Sequence, residues 1–186
     1  MHDLVAITAL GGTDPQVDSV GTVTCSEVPG VALASVAVRL GKEQEATAAL
    51  AELTGAPAPG VGRFESKQIA SIWIGPDQWL VEAPFETHEN LADQAKAATG
   101  NAASVSEQTD AWARFDLIGS GVLAVLELLC PLDTRRMVEG DVARTSIHHL
   151  GCFILCRASE QFSVYGPRSS AGSLHHAIVT AMKSAL

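Results

Sequence analysis

Small and β-branched apolar residues crowd Val31–Leu40 (VALASVAVRL), which predicts a strand ended by Gly41. Ala46, Ala49, Leu50 and Leu53 then fall at helical spacing over Lys42–Thr54, and Gly55 is a natural stop. A Pro/Gly loop (residues 56–62) follows. Ile69–Gly75 and Trp79–Ala83 read as two strands around Gly75-Pro76-Asp77-Gln78, where Pro presets φ and Asp tolerates turn geometry. Thr87–Thr99 predicts a helix with Leu91, Ala95 and Ala98 on one face, stopped by Gly100. The order then restarts. Trp112–Ile118 is expected as a strand, and Val122–Cys130 as a helix buried on more than one side because it is apolar nearly all round. Val142–His148, Cys152–Arg157 and Phe162–Tyr165 read as strands. A last helix, capped by Ser169 or Ser170, turns Leu174, Ile178, Ala181 and Met182 inward. Residues 1–30 are expected to be an irregular N-terminal arm, because 11–30 are rich in Gly, Asp, Ser, Thr and Pro.

The halves overlay at an offset of 83, placing Ile69–Pro84 on Cys152–Pro167. Gln78 meets Gln161, Val81 meets Val164 and Pro84 meets Pro167; the following helices stay in phase, Leu91 on Leu174 and Ala98 on Ala181. This predicts an α+β fold of tandem degenerate strand–helix–hairpin–helix repeats. One domain is expected over 31–186, with pseudo-repeats at about 31–108 and 111–186.

Charge narrows the partners. The 12 Lys+Arg against 21 Asp+Glu give −9, which argues against nucleic acid or an anionic membrane surface. Charged residues are 18% and the hydrophobic set 47%, so the bulk of the chain is not expected to be disordered. That apolar surplus has two readings: inflation by 28 Ala, or a surface that belongs against another subunit. The start MHDLVAITAL, followed by Gly11-Gly12, has no basic segment, and no apolar run approaches the roughly 20 residues of a spanning helix. Four cysteines without framework spacing fit a reducing cytosol, so a cytoplasmic location is expected.

Several residues suggest chemistry. His148, His149, Cys152 and Cys156 suggest zinc. In an extended strand, however, Cys152 and Cys156 lie about 13 Å apart at about 3.3 Å per residue. His148 and His149 would point to opposite faces of a regular strand. Buried cysteines acting as small hydrophobes are the simpler reading. His175 and His176, about 100° apart on a helix, chelate poorly and read as a solvated or partly buried pair. Gly119-Ser120-Gly121 opens a helix after a strand, a friendly geometry for anions. The third glycine of a dinucleotide fingerprint is replaced by Ala124, so a tight turn is preferred. Asp110, Asp116 and Asp133 are scattered acids. Arg114, Arg135, Arg136, Arg144 and Arg168 could bind a carboxylate or form structural ion pairs. Trp73, Trp79 and Trp112 are core anchors or hot spots of a subunit contact.

SIWIGPDQWLVEAP (71–84), VSEQTDAWARFDLIGSGVLAVLELLCPLD (105–133), GDVARTSIHHLG (140–151) and FSVYGPRSSAGSLHHAI (162–178) resemble the gamma subunit of heterotetrameric sarcosine oxidase. The resemblance spans most of 31–186. It implies the folate-binding fold of glycine-cleavage aminomethyltransferases and a place beside alpha, beta and delta subunits, docked chiefly on alpha. That complex oxidises sarcosine to glycine with hydrogen peroxide, and its one-carbon unit passes to tetrahydrofolate. The resemblance implies FAD, FMN and NAD on the larger chains and zinc on the delta chain. For this chain it implies no catalytic, cofactor-binding or metal residues and a structural, assembly role. A free-standing folate-binding or aminomethyl-transferring protein of the same fold is the alternative, with Asp110 or Asp116 as its nominated acid. A metal-handling protein built on Cys152, Cys156 and His148 is the other.

Overall fold

The computed structural model describes residues 5–186. In chain order the elements begin with β1 (Val17–Val20), β2 (Val23–Glu27), β3 (Val31–Val38), α1 (Glu43–Thr54), β4 (Phe64–Glu65) and β5 (Ala70–Gly75). Next come β6 (Gln78–Pro84), α2 (Phe85–His88), α3 (Leu91–Thr99), β7 (Ala103–Glu107) and β8 (Trp112–Ile118). The chain finishes with α4 (Val122–Leu129), β9 (Val142–Ile147), β10 (Leu150–Ala158), β11 (Gln161–Pro167) and α5 (Ala171–Ala185). Two antiparallel-paired sheets with helices make a mixed α+β fold. Where one domain was expected over 31–186, the chain divides into two compact units. One comprises residues up to Pro29 with 110–139 and 143–186; the other comprises 30–109 with 140–142.

The second unit carries the sheet order β4-β5-β6-β3-β7. Alternation in β3 and β6 sends Ala32, Ala34, Val36, Trp79, Val81 and Ala83 into one cluster with Leu50 of α1 and Leu91 and Ala95 of α3. Gly55 ends α1 in the left-handed conformation expected of it, its N–H donating to Ala51. The predicted turn holds too: Asp77 takes φ +53 between β5 and β6. The single helix expected over Thr87–Thr99 is instead α2 and α3, interrupted at Glu89-Asn90. Asn90 leaves helical geometry, and its side-chain carbonyl accepts from Gln94 at 2.7 Å. β7 was not expected, because ASVSE carries one large apolar residue; pairing with β3 makes it a strand. A detached piece, residues 140–142, completes this unit. Phe64 N–H donates to Gly140 O, Val142 N–H to Gly62 O, and Arg63 pairs with Asp141.

The first unit carries the order β1-β2-β8-β11-β10-β9. Ala113, Phe115 and Leu117 of β8 lie on the face that meets Val125 and Leu126 of α4 and Leu174 and Ile178 of α5. β6 and β11 are offset by 83 residues at both ends. The irregular arm expected over 1–30 is not what 17–27 form. Val20 pairs with Val23 across a two-residue turn, and β2 pairs with β8 from Thr24↔Ile118 to Glu27↔Phe115. Loop-like composition is overridden by period-two burial at Val23, Cys25 and Glu27. Residues 1–4 of that arm lie outside the described residues. Two smaller expectations also change. α4, expected to be buried on more than one side, buries Val122, Val125, Leu126 and Leu129 but leaves Leu128 59% exposed. Ser170 precedes α5 without a side-chain capping bond, because residues 168–170 already turn as a 3-10 helix. Cys130 is extended before Pro131, which stops α4 as proline demands.

Candidate functional site

The zinc candidates are placed by the β9–β10 hairpin. His148 and His149 are its two-residue connection, with φ +46 and +69. Left-handed φ at both central positions is the turn in which Asn-Gly is usual. The histidines are exposed at the tip, whereas Cys152 and Cys156 sit on the buried face of β10. Burial pushes the Cys152 thiol up to about 11, and Cys156 Sγ donates to Ala158 O at 3.4 Å. Burial, with Asp18 and Asp116 adding repulsion, pushes the Cys25 thiol to about 12. A neutral thiol is neither nucleophile nor strong ligand at pH 7. Among the described residues no group of three or more His, Cys, Asp or Glu side chains is placed to hold a metal.

The histidines of α5 separate. His175 is half-buried against the Phe115 ring, its Nε2 2.8 Å from Asp18 Oδ2, while His176 faces outward. Gly119-Ser120-Gly121 forms a tight turn under close backbone approach. A Cβ on Gly119, at φ +141, would lie 1.8 Å from the Thr22 carbonyl oxygen, and one on Gly121 2.4 Å from Leu186 Cδ2. Thr22, Val23 and Leu186 therefore occupy the space at the start of α4 where an anion would sit.

The nominated acids are not brought together as a free pair. Asp110 is 87% exposed, 3.8 Å from Arg168. Asp116 lies on the opposite face of β8 from the core and is closed on both oxygens. Arg114 Nε donates to Oδ1 at 2.8 Å and Arg114 Nη2 to Oδ2 at 2.7 Å, while Ser163 Oγ donates to Oδ1 at 2.7 Å. Arg157 extends the network through Ser163 Oγ at 3.0 Å and the Tyr165 hydroxyl at 3.2 Å. Arg114 also lies over the Tyr165 ring. This is an extended polar cluster of the first unit, and a carboxylate so fully engaged acts as a structural member. Sequence reasoning named Arg114 and Asp116 but missed Ser163, Arg157 and Tyr165. The available signal was i, i+2 spacing of polar residues in β8 and β11. Arg135 pairs with Glu127, and Arg144 lies 5.8 Å from the Phe153 ring centroid.

Trp79 is a core anchor, its indole N–H donating to Pro59 O at 2.9 Å; Trp73 is its cross-strand partner and partly exposed. Trp112 packs at 5.3 Å on Phe153. Each unit carries an open groove among the described residues. One of about 590 Å³ on the second unit lies along α1 and residues 57–60, with Asp77 and Trp79 at its border. One of about 260 Å³ on the first unit lies between α4 and α5, bordered by Leu128, His148, Thr180 and Ser184. Both readings of the apolar surplus find residues. Alanines 32, 34, 46, 95, 113 and 177 fill the clusters, while Leu40 stands fully exposed and Val61 and Leu128 largely so.

No family model matches the chain, and no curated protein does. Solved structures do. A chain of the heterotetrameric sarcosine oxidase from Corynebacterium sp. U-96, solved in complex with pyrrole 2-carboxylate, is 23% identical. The match covers 87% of this chain and 84% of that one, with a TM-score of 0.76. The glycine cleavage system aminomethyltransferase T from Bartonella henselae is 13% identical, with a TM-score of 0.64. There 82% of this chain is covered but 44% of the other, so this chain spans less than half the aminomethyltransferase. The chain has the fold of that sarcosine oxidase chain and of part of that aminomethyltransferase.

Proposed function

We propose that this chain is a non-catalytic assembly subunit, of the gamma type, in a heterotetrameric sarcosine oxidase. The observation that carries the reading is mutual coverage. The chain matches a sarcosine oxidase chain over most of both lengths, whereas it spans under half of the aminomethyltransferase. The closed state of Asp116 and the raised thiols of Cys25 and Cys152 agree with a structural role. In this reading the chain docks chiefly on the alpha subunit by burying apolar positions such as Leu40 and Leu128. The flavins, NAD and tetrahydrofolate belong to the larger chains and zinc to the delta chain. The complex works in the cytoplasm.

Co-expression with the neighbouring reading frames and purification on a tag carried by this chain test it. A yellow, sarcosine-oxidising complex is expected, with the chain alone colourless and inactive. Recovery of this chain alone from that co-expression overturns the reading. The aminomethyltransferase likeness favours the second reading, a free-standing folate-binding protein. Micromolar binding of a reduced folate to the isolated chain would select it.

A further inference from the structure

Glu27 is a carboxylate in a core-facing position. It ends β2 on the face that holds Val23 and Cys25, and it is 5% exposed. A charge there requires partners, and residues 8–16 supply them. Oε1 accepts the Leu10 N–H at 3.0 Å and Oε2 the Gln16 N–H at 3.2 Å, while the Glu27 N–H donates to Gln16 O at 2.8 Å. Between these anchors the segment closes on itself: Thr8 N–H donates to Gly12 O at 2.8 Å and Gly11 N–H to Thr8 O at 3.0 Å. Just before it, Arg168 Nη2 donates to Ile7 O at 3.1 Å. Ala9 and Leu10 pack on the core cluster of the first unit. Residues 5–16 belong to no strand or helix.

We infer that residues 8–16 are a strap latched over this core by the Glu27 carboxylate, which opens as one piece while β2, β8 and β11 stay paired. Its hold on β2 is that forked side chain and one backbone bond, Glu27 N–H to Gln16 O, rather than a ladder. Both fork bonds are charge-assisted, so the latch depends on the carboxylate. Segments tied in this way form low-stability opening units. Opening removes Ala9 and Leu10 from the cluster and uncovers apolar surface.

Amide hydrogen exchange on the full chain and on Glu27→Gln tests this. Gln keeps the length and one acceptor but turns an NH₂ toward the other amide. Exchange at Leu10 and Gln16 is expected to rise together by on the order of 10–100-fold, the scale of a lost hydrogen bond to a charged group. Phe115 and Val164 should be unchanged. Unchanged exchange at Leu10 and Gln16 in a folded Glu27→Gln variant overturns the latch. If that variant does not fold, the wild-type chain in low denaturant decides. Joint exchange of Leu10 and Gln16 ahead of Phe115 supports the strap; exchange of all three only on global unfolding overturns it.

Discussion

Truncating Asp116 to Ala removes an acceptor of three hydrogen bonds and leaves Arg114 without that counter-charge. The Arg114 and Asp116 side chains are 14% and 13% exposed, so water screens little of the loss. Breaking such a pair from one side costs about 3–5 kcal/mol, because the surviving charge keeps its desolvation penalty. Replacing both partners by apolar residues removes the penalty along with the attraction. Arg114→Met combined with Asp116→Leu is therefore expected to be less damaged than the single variant, its remaining loss coming from buried Ser163, whose hydroxyl loses its carboxylate acceptor. Urea unfolding followed by far-UV circular dichroism reads both. At about 1.5–2 kcal/mol per molar urea, the single variant should lose about 1.5–3 M in midpoint. A single-variant loss below about 0.5 M, or a double variant as damaged as the single, refutes the account of Asp116 as a closed structural carboxylate.

Gly119→Ala places a Cβ on the Thr22 carbonyl and should sharply lower the yield of folded chain. Gly121→Ala, whose nearest neighbours are side-chain atoms of Leu186, Thr22 and Val23 rather than backbone, should be milder; the two melting temperatures compare them. Cys25 and Cys152 bind their protons more tightly folded than unfolded, so the unfolded state binds fewer protons above about pH 9. Their contribution is complete below that pH and is lost as pH rises toward 11–12; urea midpoints at pH 7.5 and pH 10 should fall in that order. A disulfide reagent at pH 7.5 should label both thiols only after denaturant is added. Deleting residues 1–28 removes β1 and β2 and bares one edge of β8, so that fragment should aggregate on expression, as read by its soluble fraction.

Much of the fold was legible wherever burial follows a simple period. Trp112–Ile118 alternates cleanly and is β8 to the residue, and Gly55 ends α1 where its lack of a Cβ permits. β1, β2 and β7 were illegible because their Ser, Thr and Asp residues suggest loops, and the strands that pair with β2 and β7, β8 and β3, lie far away in sequence. At the α2–α3 break Asn90 leaves helical geometry within an otherwise helical spacing of apolar residues. For the site, the sequence supplied Arg114 and Asp116 but not their joining to Ser163, Arg157 and Tyr165. That joining needs the register Asp116↔Ser163 and Arg114↔Tyr165, which no local pattern encodes.

The placement of β2 beside β8 has a consequence for birth on the ribosome. Glu27 emerges early, yet its neighbour Phe115 follows 88 residues later, about 4–18 s at ordinary rates of synthesis. Throughout that interval the nascent hairpin must wait without its mate, while residues 30–109 of the other unit are still being made. The earliest-made strands are thus among the last to find a home. A translating chain stalled before Trp112 should keep β1 and β2 open to proteases and to chaperones.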